Sequence, residues 1–421
     1  MILIFTSSVL LFLYVLYNFE NDLIYKYFYL SFVVGFSIYS GIGIITEHTF
    51  IEDNALLYII QFILFMLLFI IGSIIVRKIK FKNFTLDLDN ILNPKFILFM
   101  ASIYIITYVY RCIFSGVSIY DFVNIKDLFI NYKSTAFSIR VNRRNNSLFN
   151  FITNQVASLT MPFFFIHLYN IRKKHLKFIV IYLIPVILRL LADGYLSRNR
   201  IAVHILFLLI FIIKEEMISK KNSKRLLLVS LPILLIIFAN LEFVRSGAVM
   251  GYSNFSMVSK MLASEFGYPK YYDYCNKMSS DYNTINYLIY ILIVWIPSNV
   301  YKYIGIEVPN LAYEFTEKIT GLAYGQSNNY YILLPSVLGE AIILFGNKLA
   351  CVYGFIYGVF STTFLKILKS HKILYYYMVY FMLDFFRQFR GGSQYVITFW
   401  ESQLVPFIII VAILRLSKNI K

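Results

Sequence analysis

Arginine is the chemically suggestive residue of this chain. Arg111, Arg140, Arg143, Arg144, Arg189, Arg198, Arg200, Arg245, Arg387 and Arg390 fall at or near the ends of apolar stretches. A guanidinium is planar, stays charged, and can hold two oxygens of one phosphate at once. Several such forks converging at a membrane surface would bind a polyanion, and a lipid-linked pyrophosphate is one. The plainer reading of any single arginine is that it snorkels to anionic headgroups or pairs with Asp121, Asp127, Asp193 or Asp384. Arg189 and Asp193 lie four residues apart, on one face of a helix, where an ion pair accounts for both. Arg198 and Arg200 stand at the entrance of an apolar helix, where unpaired backbone N–H groups also favour an anion. A carboxylate that could act as general base is Glu340, because an apolar helix around it would raise its pKa. An ion pair with one of the arginines explains it equally well.

These residues must be held by membrane helices. The chain of 421 residues is 59% hydrophobic and 14% charged, with mean hydropathy +0.68, which excludes a soluble globular domain and a disordered one. Residues 1–17 have no basic leader or small-residue cleavage site and read as a retained helix. Apolar stretches at 2–18, 27–46, 55–76, 96–115, 151–170, 178–193, 200–213, 226–243, 348–367, 373–388 and 396–416 predict an all-α polytopic integral membrane protein of about 11 transmembrane helices. The whole chain, 1–421, reads as one membrane domain. The stretch 178–193 is short for a span and would end in a water-accessible cavity.

Residues 245–346 interrupt the apolar pattern and predict a long outer loop containing short helices. Within it, 287–296 reads as an interfacial helix and 335–345 as a re-entrant one. If both crossed the membrane, the number of spans would rise to about 13.

Basic clusters orient the chain. Arg77, Lys78, Lys80 and Lys82 form one; Arg172, Lys173, Lys174 and Lys177 another; Lys220, Lys221, Lys224 and Arg225 a third. Lys366, Lys369 and Lys372 follow, and the tail carries Arg415, Lys418 and Lys421. An even number of predicted helices separates neighbouring clusters, so all can lie in the cytoplasm. The N-terminus is then outside, and the arginines named above fall at the outer face, where the positive-inside rule does not predict them.

The net charge of +17 is accounted for by these flanking clusters and implies no nucleic acid. Glu20 and Asp22 fall inside as a solvated pair. His204, one turn into its helix, reads as a satisfied core residue. The cysteines, Cys112, Cys275 and Cys351, and the scattered histidines have no metal-ligand spacing, so no metal and no cofactor are expected. There is no P-loop.

Three stretches resemble the O-antigen and capsular polysaccharide repeat-unit polymerases, the Wzy family. Leu196-Ser197-Arg198-Asn199-Arg200 runs into an apolar helix, with Asn199 where the family often has glycine. Pro335-Ser336-Val337-Leu338-Gly339-Glu340, followed by Leu344-Phe345-Gly346 and Gly354, is similar to the family's short outer helix and Phe-Gly turn. Phe386-Arg387-Gln388-Phe389-Arg390-Gly391-Gly392-Ser393 is similar to its late Arg-Gly element.

The resemblance implies a metal-independent glycosyl transfer between oligosaccharides on undecaprenyl pyrophosphate, at the outer face of a bacterial cytoplasmic membrane. Departure of the lipid pyrophosphate would drive it. Its partners would be those lipid-linked oligosaccharides, the bilayer and a chain-length regulator protein. Arg198, Arg200 and Glu340 would be catalytic. Arg245, Arg390, Arg140, Arg143, Arg144, Arg189 and Arg387 would hold the pyrophosphate. The O-antigen ligases share this plan but place a histidine in the long loop, and none occurs between residues 245 and 346. A lipid-linked oligosaccharide flippase is the rival of another class, and transporters tend to show repeated halves, which this sequence lacks.

Overall fold

The computed structural model describes residues 2–18, 23–46, 51, 54–79, 88–115, 147–192, 198–217, 222, 266–293, 311–322, 333–391 and 393–419. Among them the regular structure is entirely helical. The helices are α1 (Ile2–Asn18), α2 (Leu23–Phe36), α3 (Gly43–Thr46), α4 (Ala55–Lys78), α5 (Leu88–Ile91), α6 (Pro94–Ser115), α7 (Ser147–Ile171), α8 (His175–Ala192), α9 (Arg198–Lys214), α10 (Tyr272–Ser279), α11 (Thr284–Ile293), α12 (Leu311–Thr320), α13 (Ser336–Lys369), α14 (Tyr375–Gly391) and α15 (Ser393–Asn419). A π-helical turn, Ser37–Ile42, joins α2 to α3, and a 3₁₀ turn, Tyr268–Tyr271, leads into α10.

Helices cover each of the predicted apolar stretches except 226–243, which lies outside the described residues. Among the described residues, five helices are long and apolar enough to cross a membrane: Ile24–Thr46, Ala55–Lys78, Pro94–Ile113, His175–Ala192 and Ser336–Lys369. The stretch predicted to be a short span is an 18-residue helix, α8, because it begins at His175 beside the basic turn. Pro162, Pro185 and Pro406 lie inside α7, α8 and α15, as membrane helices tolerate.

The chain forms two compact units. Unit 1 comprises residues 1–84, 262–370 and 381–401; unit 2 comprises 85–261, 371–380 and 402–421. Helix α14 contributes its first turns to unit 2 and the remainder to unit 1.

Unit 1 is built on α4 and the second part of α13, which run in parallel. Gln61, Ser73 and Val76 of α4 meet Lys348 and Cys351, Gly358 and Thr362, and Lys366 of α13 in the same order. The helices approach closely at Gly354 and Gly358, where a Cβ would strike the backbone of Phe65 and Phe69. Helix α2 packs antiparallel to α4 through rings: Phe32 stacks on Phe69 at 3.6 Å and Phe36 on Phe62 at 5.0 Å. Phe385 and Phe389 of α14 complete this aromatic core, against Phe28 at 4.7 Å and Phe32 at 5.4 Å.

Helix α13 is broken at Gly346, whose φ of 71° and ψ of 165° only glycine adopts without strain. The break divides off a short helix, 336–345, where the sequence predicts one. Backbone groups on either side of it are satisfied by side chains. Thr284 donates to the carbonyl of Leu344 at 2.7 Å, and the Asn276 side-chain oxygen accepts from the N–H of Asn347 at 3.4 Å. Gln61 donates to Lys348 O at 3.0 Å and accepts from the N–H of Cys351 at 2.9 Å. Buried backbone groups left unpaired would cost more than any of these bonds contributes.

Unit 2 places α8 antiparallel to α9. Phe178 stacks on Phe211 at 3.6 Å and Tyr182 on Phe207 at 4.6 Å. The C-terminal ends of α6 and α8 meet where the Cys112 thiol donates to Leu188 O at 2.8 Å. Rings of α7 and of the first turns of α14 fill the centre, with Phe165 5.1 Å from Tyr380.

Candidate functional site

Each unit holds a cluster of polar side chains at one end, opposite a lysine-rich end. In unit 2 the polarity follows from helix direction. Arg172, Lys173 and Lys174 immediately precede α8, Lys177 lies in its first turn, and Lys214 ends α9, so the antiparallel pair brings them to one end. The other end carries Arg189 near the end of α8 and the first turn of α9, which bears Arg198 and Arg200. The described part of α9 begins at Arg198. The backbone of that turn is described; the side chains of Arg198 and Arg200 are not.

Arg189 and Arg111 converge on one ring. Their guanidinium carbons lie 5.9 and 5.4 Å from the centroid of Tyr108, within the range of a cation–π contact. Arg189 also donates to the Tyr380 hydroxyl at 3.4 Å. Beneath it lies a small cavity, with room for about one water, lined among others by Tyr104, Tyr182, Arg189, His204 and Tyr380. His204 is buried, and its Nδ1 shares a proton with the Tyr182 hydroxyl at 2.7 Å. It is a core histidine, as the sequence suggests, bonded through Nδ1. The end of unit 2 thus gathers cations on an aromatic floor, an arrangement suited to an anion carried on an apolar chain.

In unit 1 the corresponding residue is Glu340, on the short helix before Gly346. None of its surface is exposed, and the hydroxyl of the equally buried Tyr287 on α11 donates to its Oε1. Burial, and then the neighbouring Glu340 charge, push the Tyr287 phenol up. One turn earlier, Ser336 takes the left-handed conformation with φ 66°, uncommon for a residue with a side chain. Its hydroxyl lies 3.3 Å from Ser40 Oγ in the π turn, 3.1 Å from the Tyr272 hydroxyl and 3.3 Å from the N–H of Gly339. Tyr272 donates also to Ser40 O at 3.1 Å. At the same end, Asp273 accepts from Asn54 Nδ2 at 3.0 Å and from the Tyr58 hydroxyl at 2.5 Å. These bonds fasten α10 over the start of α4 and over the short helix.

Arg390, near the end of α14, is on this end too. Its Nε donates to the Tyr268 hydroxyl, and its guanidinium carbon lies 5.8 Å from the ring centroid. Arg387 is on the same helix, with its side chain outside the described set. Arg140, Arg143, Arg144 and Arg245 lie outside the described residues. The structure therefore gathers Arg189 with Arg111 in unit 2, and Glu340 and Arg390 at one end of unit 1.

The sequence does not single out the tyrosines of these sites. Tyr108, Tyr380, Tyr287 and Tyr268 each touch a predicted site residue. Tyr104, Tyr108 and Arg111, spaced by four and three on one helix, were the available signal. Among the described residues no group of His, Cys, Asp and Glu could hold a metal ion. No protein-family model, curated protein or solved structure matches the chain.

Proposed function

We propose that this protein is a polytopic membrane glycosyltransferase of the repeat-unit polymerase type. It would span the bacterial cytoplasmic membrane about 11 times, with residues 245–346 on the outer face. There it would join undecaprenyl-pyrophosphate-linked oligosaccharides into surface polysaccharide. The observation that carries the reading is the convergence of Arg111 and Arg189 on Tyr108 at the end of unit 2 opposite its lysines. A membrane enzyme that releases a lipid pyrophosphate needs preorganised cations where the negative charge develops. A tyrosine floor beneath them suits a phosphate carried on a polyprenyl chain.

In this reading Arg198, Arg200 and Arg189 steady the departing pyrophosphate, with Arg390, Arg387, Arg245, Arg140, Arg143 and Arg144 along the substrate's path. Glu340 takes the proton of the acceptor hydroxyl. Because it is fully covered, it does so only once the Tyr287 hydroxyl has released it. No ATP is required, since pyrophosphate departure drives transfer.

The test is the surface glycan of a strain carrying Arg198→Ala. Single repeat units on the acceptor with the longer ladder lost are the expected result. Normal long chains would remove Arg198 from the site. Lipid-linked units held on the cytoplasmic face of a deletion strain would mean a flippase, and full polymer left on its carrier lipid would mean a ligase. Arg198→Lys keeps the charge but not the two-pronged grip, and is expected to fail with the alanine variant.

A further inference from the structure

Helices α10 and α11 follow one another in the chain, and unit 1 holds them by very different means. Helix α10 is fastened. Tyr272 is bonded to Ser40 and Ser336, and Asp273 to Asn54 and Tyr58. Cys275 is fully buried over Gly339, where a Cβ would stand 3.2 Å from the thiol. The turn before α10 presses on Gly43, where a Cβ would lie 1.7 Å from Phe266 O and 2.5 Å from Pro269 Cδ.

Helix α11 meets the short helix 336–345 through two hydrogen bonds. Thr284 donates to Leu344 O at 2.7 Å, and the Tyr287 hydroxyl donates to Glu340 Oε1. Thr284 and Tyr287, three residues apart, share one side of α11. Ile285 and Ile289 lie on the other side and are 70% and 50% exposed. Water can take over bonds of this kind at small net cost. The aromatic core beneath, where Phe32 stacks on Phe69 at 3.6 Å, has no such substitute.

A joint separates the two helices. Asp281 N–H donates to Met278 O at 3.1 Å, closing the end of α10. Asn283 caps α11 from within its own segment: its side chain accepts from the N–H of Asn286 at 3.1 Å, and its carbonyl from the N–H of Tyr287 at 3.2 Å. The helix therefore keeps its first turn wherever it sits. Ser280, Asp281 and Asn283 are exposed. Lys318 pairs with Asp281 at 3.8 Å, an exposed ion pair of the kind that restrains little. A capped helix on an exposed joint, held mainly by replaceable bonds, is the sort of unit that opens locally.

We propose that α11 is a lid over Glu340, hinged at residues 280–283, closed by Thr284 and Tyr287, and opening while α10 stays seated. Opening carries the Tyr287 hydroxyl away from Glu340 and admits water or an acceptor hydroxyl in its place. As a gate to the general base, the lid rests on the polymerase reading. As a movement it does not, and labelling detects it whether or not the protein makes polymer.

The test treats the full-length protein in detergent with a carbodiimide and glycine ethyl ester for carboxylates, and with N-ethylmaleimide for thiols. Mass spectrometry locates both products. Glu340 is expected to be modified while gel filtration still shows folded protein, and Cys275 to stay unmodified over the same period. Thr284→Val removes the bond to Leu344 O and leaves Tyr287 and Glu340 in place. It is expected to speed Glu340 modification about two- to tenfold, the effect of one such bond, with Cys275 unchanged. Thr284→Ser keeps the hydroxyl and is expected to label like the native protein. Gly354→Ala acts on the contact between α4 and α13 and is expected to leave both rates as they are. Glu340 and Cys275 modified in step would mean that the region opens only by unfolding, and would overturn the lid. So would a Gly354→Ala protein in which both accelerate together, or a Thr284→Val rate equal to the native one. A Thr284→Ser protein as fast as Thr284→Val would trace the effect to lost packing and remove Thr284 as a latch.

Discussion

Gly354→Ala tests the parallel pair at the base of unit 1, because two physical effects of opposite sign meet there. In an isolated helix, alanine is more favourable than glycine by about 0.5–1 kcal/mol. Within this fold, the added methyl would sit 2.5 Å from Phe65 O, 3.0 Å from Phe65 Cγ and 3.1 Å from Phe65 C. Ordinary contact begins at 3.4 Å. Since the nearest atom is a backbone carbonyl of α4, relief requires the helices to part by about 0.9 Å, and overpacking of this kind costs about 1–3 kcal/mol.

Parting also strains the Gln61 bonds to Lys348 and Cys351, each worth about 0.6 kcal/mol between membrane helices. The net expectation is a loss of about 1–3 kcal/mol, or a melting temperature lower by about 2–10 °C on the scale of a medium-sized domain. The assay is the fraction of monodisperse protein surviving a heating series in detergent, read by size exclusion. Val352→Ala on the exposed face of the same helix is the control and is expected to move the curve little. A Gly354→Ala protein as stable as the native one, or more so, would refute the close approach of α4 and α13.

Tyr287→Phe removes the hydroxyl that donates to Glu340 and leaves a buried acceptor short of a donor, so a loss of about 1–3 kcal/mol is expected in the same heating assay; unchanged stability would mean the bond is not made. Glu340→Gln keeps an acceptor for Tyr287 and is expected to fold normally while losing polymer, and a full ladder in that strain would exclude Glu340 as base. Tyr58→Phe deprives Asp273 of one of its donors and is expected to expose α10 to limited proteolysis sooner than in the native protein.

The helices were legible because each is a run of apolar residues near the length of a bilayer, and because Arg77, Lys173 and Lys366 punctuate the ends. The Phe345-Gly346 turn was legible for a local reason as well, since glycine alone enters that backbone region freely. What pairs with what was not legible. Gln61 and Cys351 are 290 residues apart, and nothing near either one specifies the other. The phenylalanines that fix the register of α2 on α4 look, in sequence, like a general richness in aromatics. At the candidate site, guanidinium chemistry pointed to Arg189 and Arg390, but their tyrosine partners were invisible. Tyrosine is common in this chain, and only the fold distinguishes the ring under a cation from the ring in the core. Ser336 was legible as part of a motif, whereas its left-handed backbone depends on Tyr272 and Ser40, which come from other segments.

The cap that Lys366 places on the end of α4 has a consequence for biogenesis. The carbonyls of Val76 and Arg77 emerge from the ribosome early, and the lysine that satisfies them follows 290 and 289 residues later. At about 5–20 residues per second the interval is roughly 15–60 s. Throughout it, the face of α4 that carries Gln61, Gly72 and Ser73 stands in the membrane without its partner helix, while the intervening chain of unit 2 is inserted. Those side chains are small or polar, so the waiting face is a recognisable mark of an unfinished protein. Insertion chaperones and membrane proteases could read it, and a chain terminated anywhere before Lys366 would keep it on display.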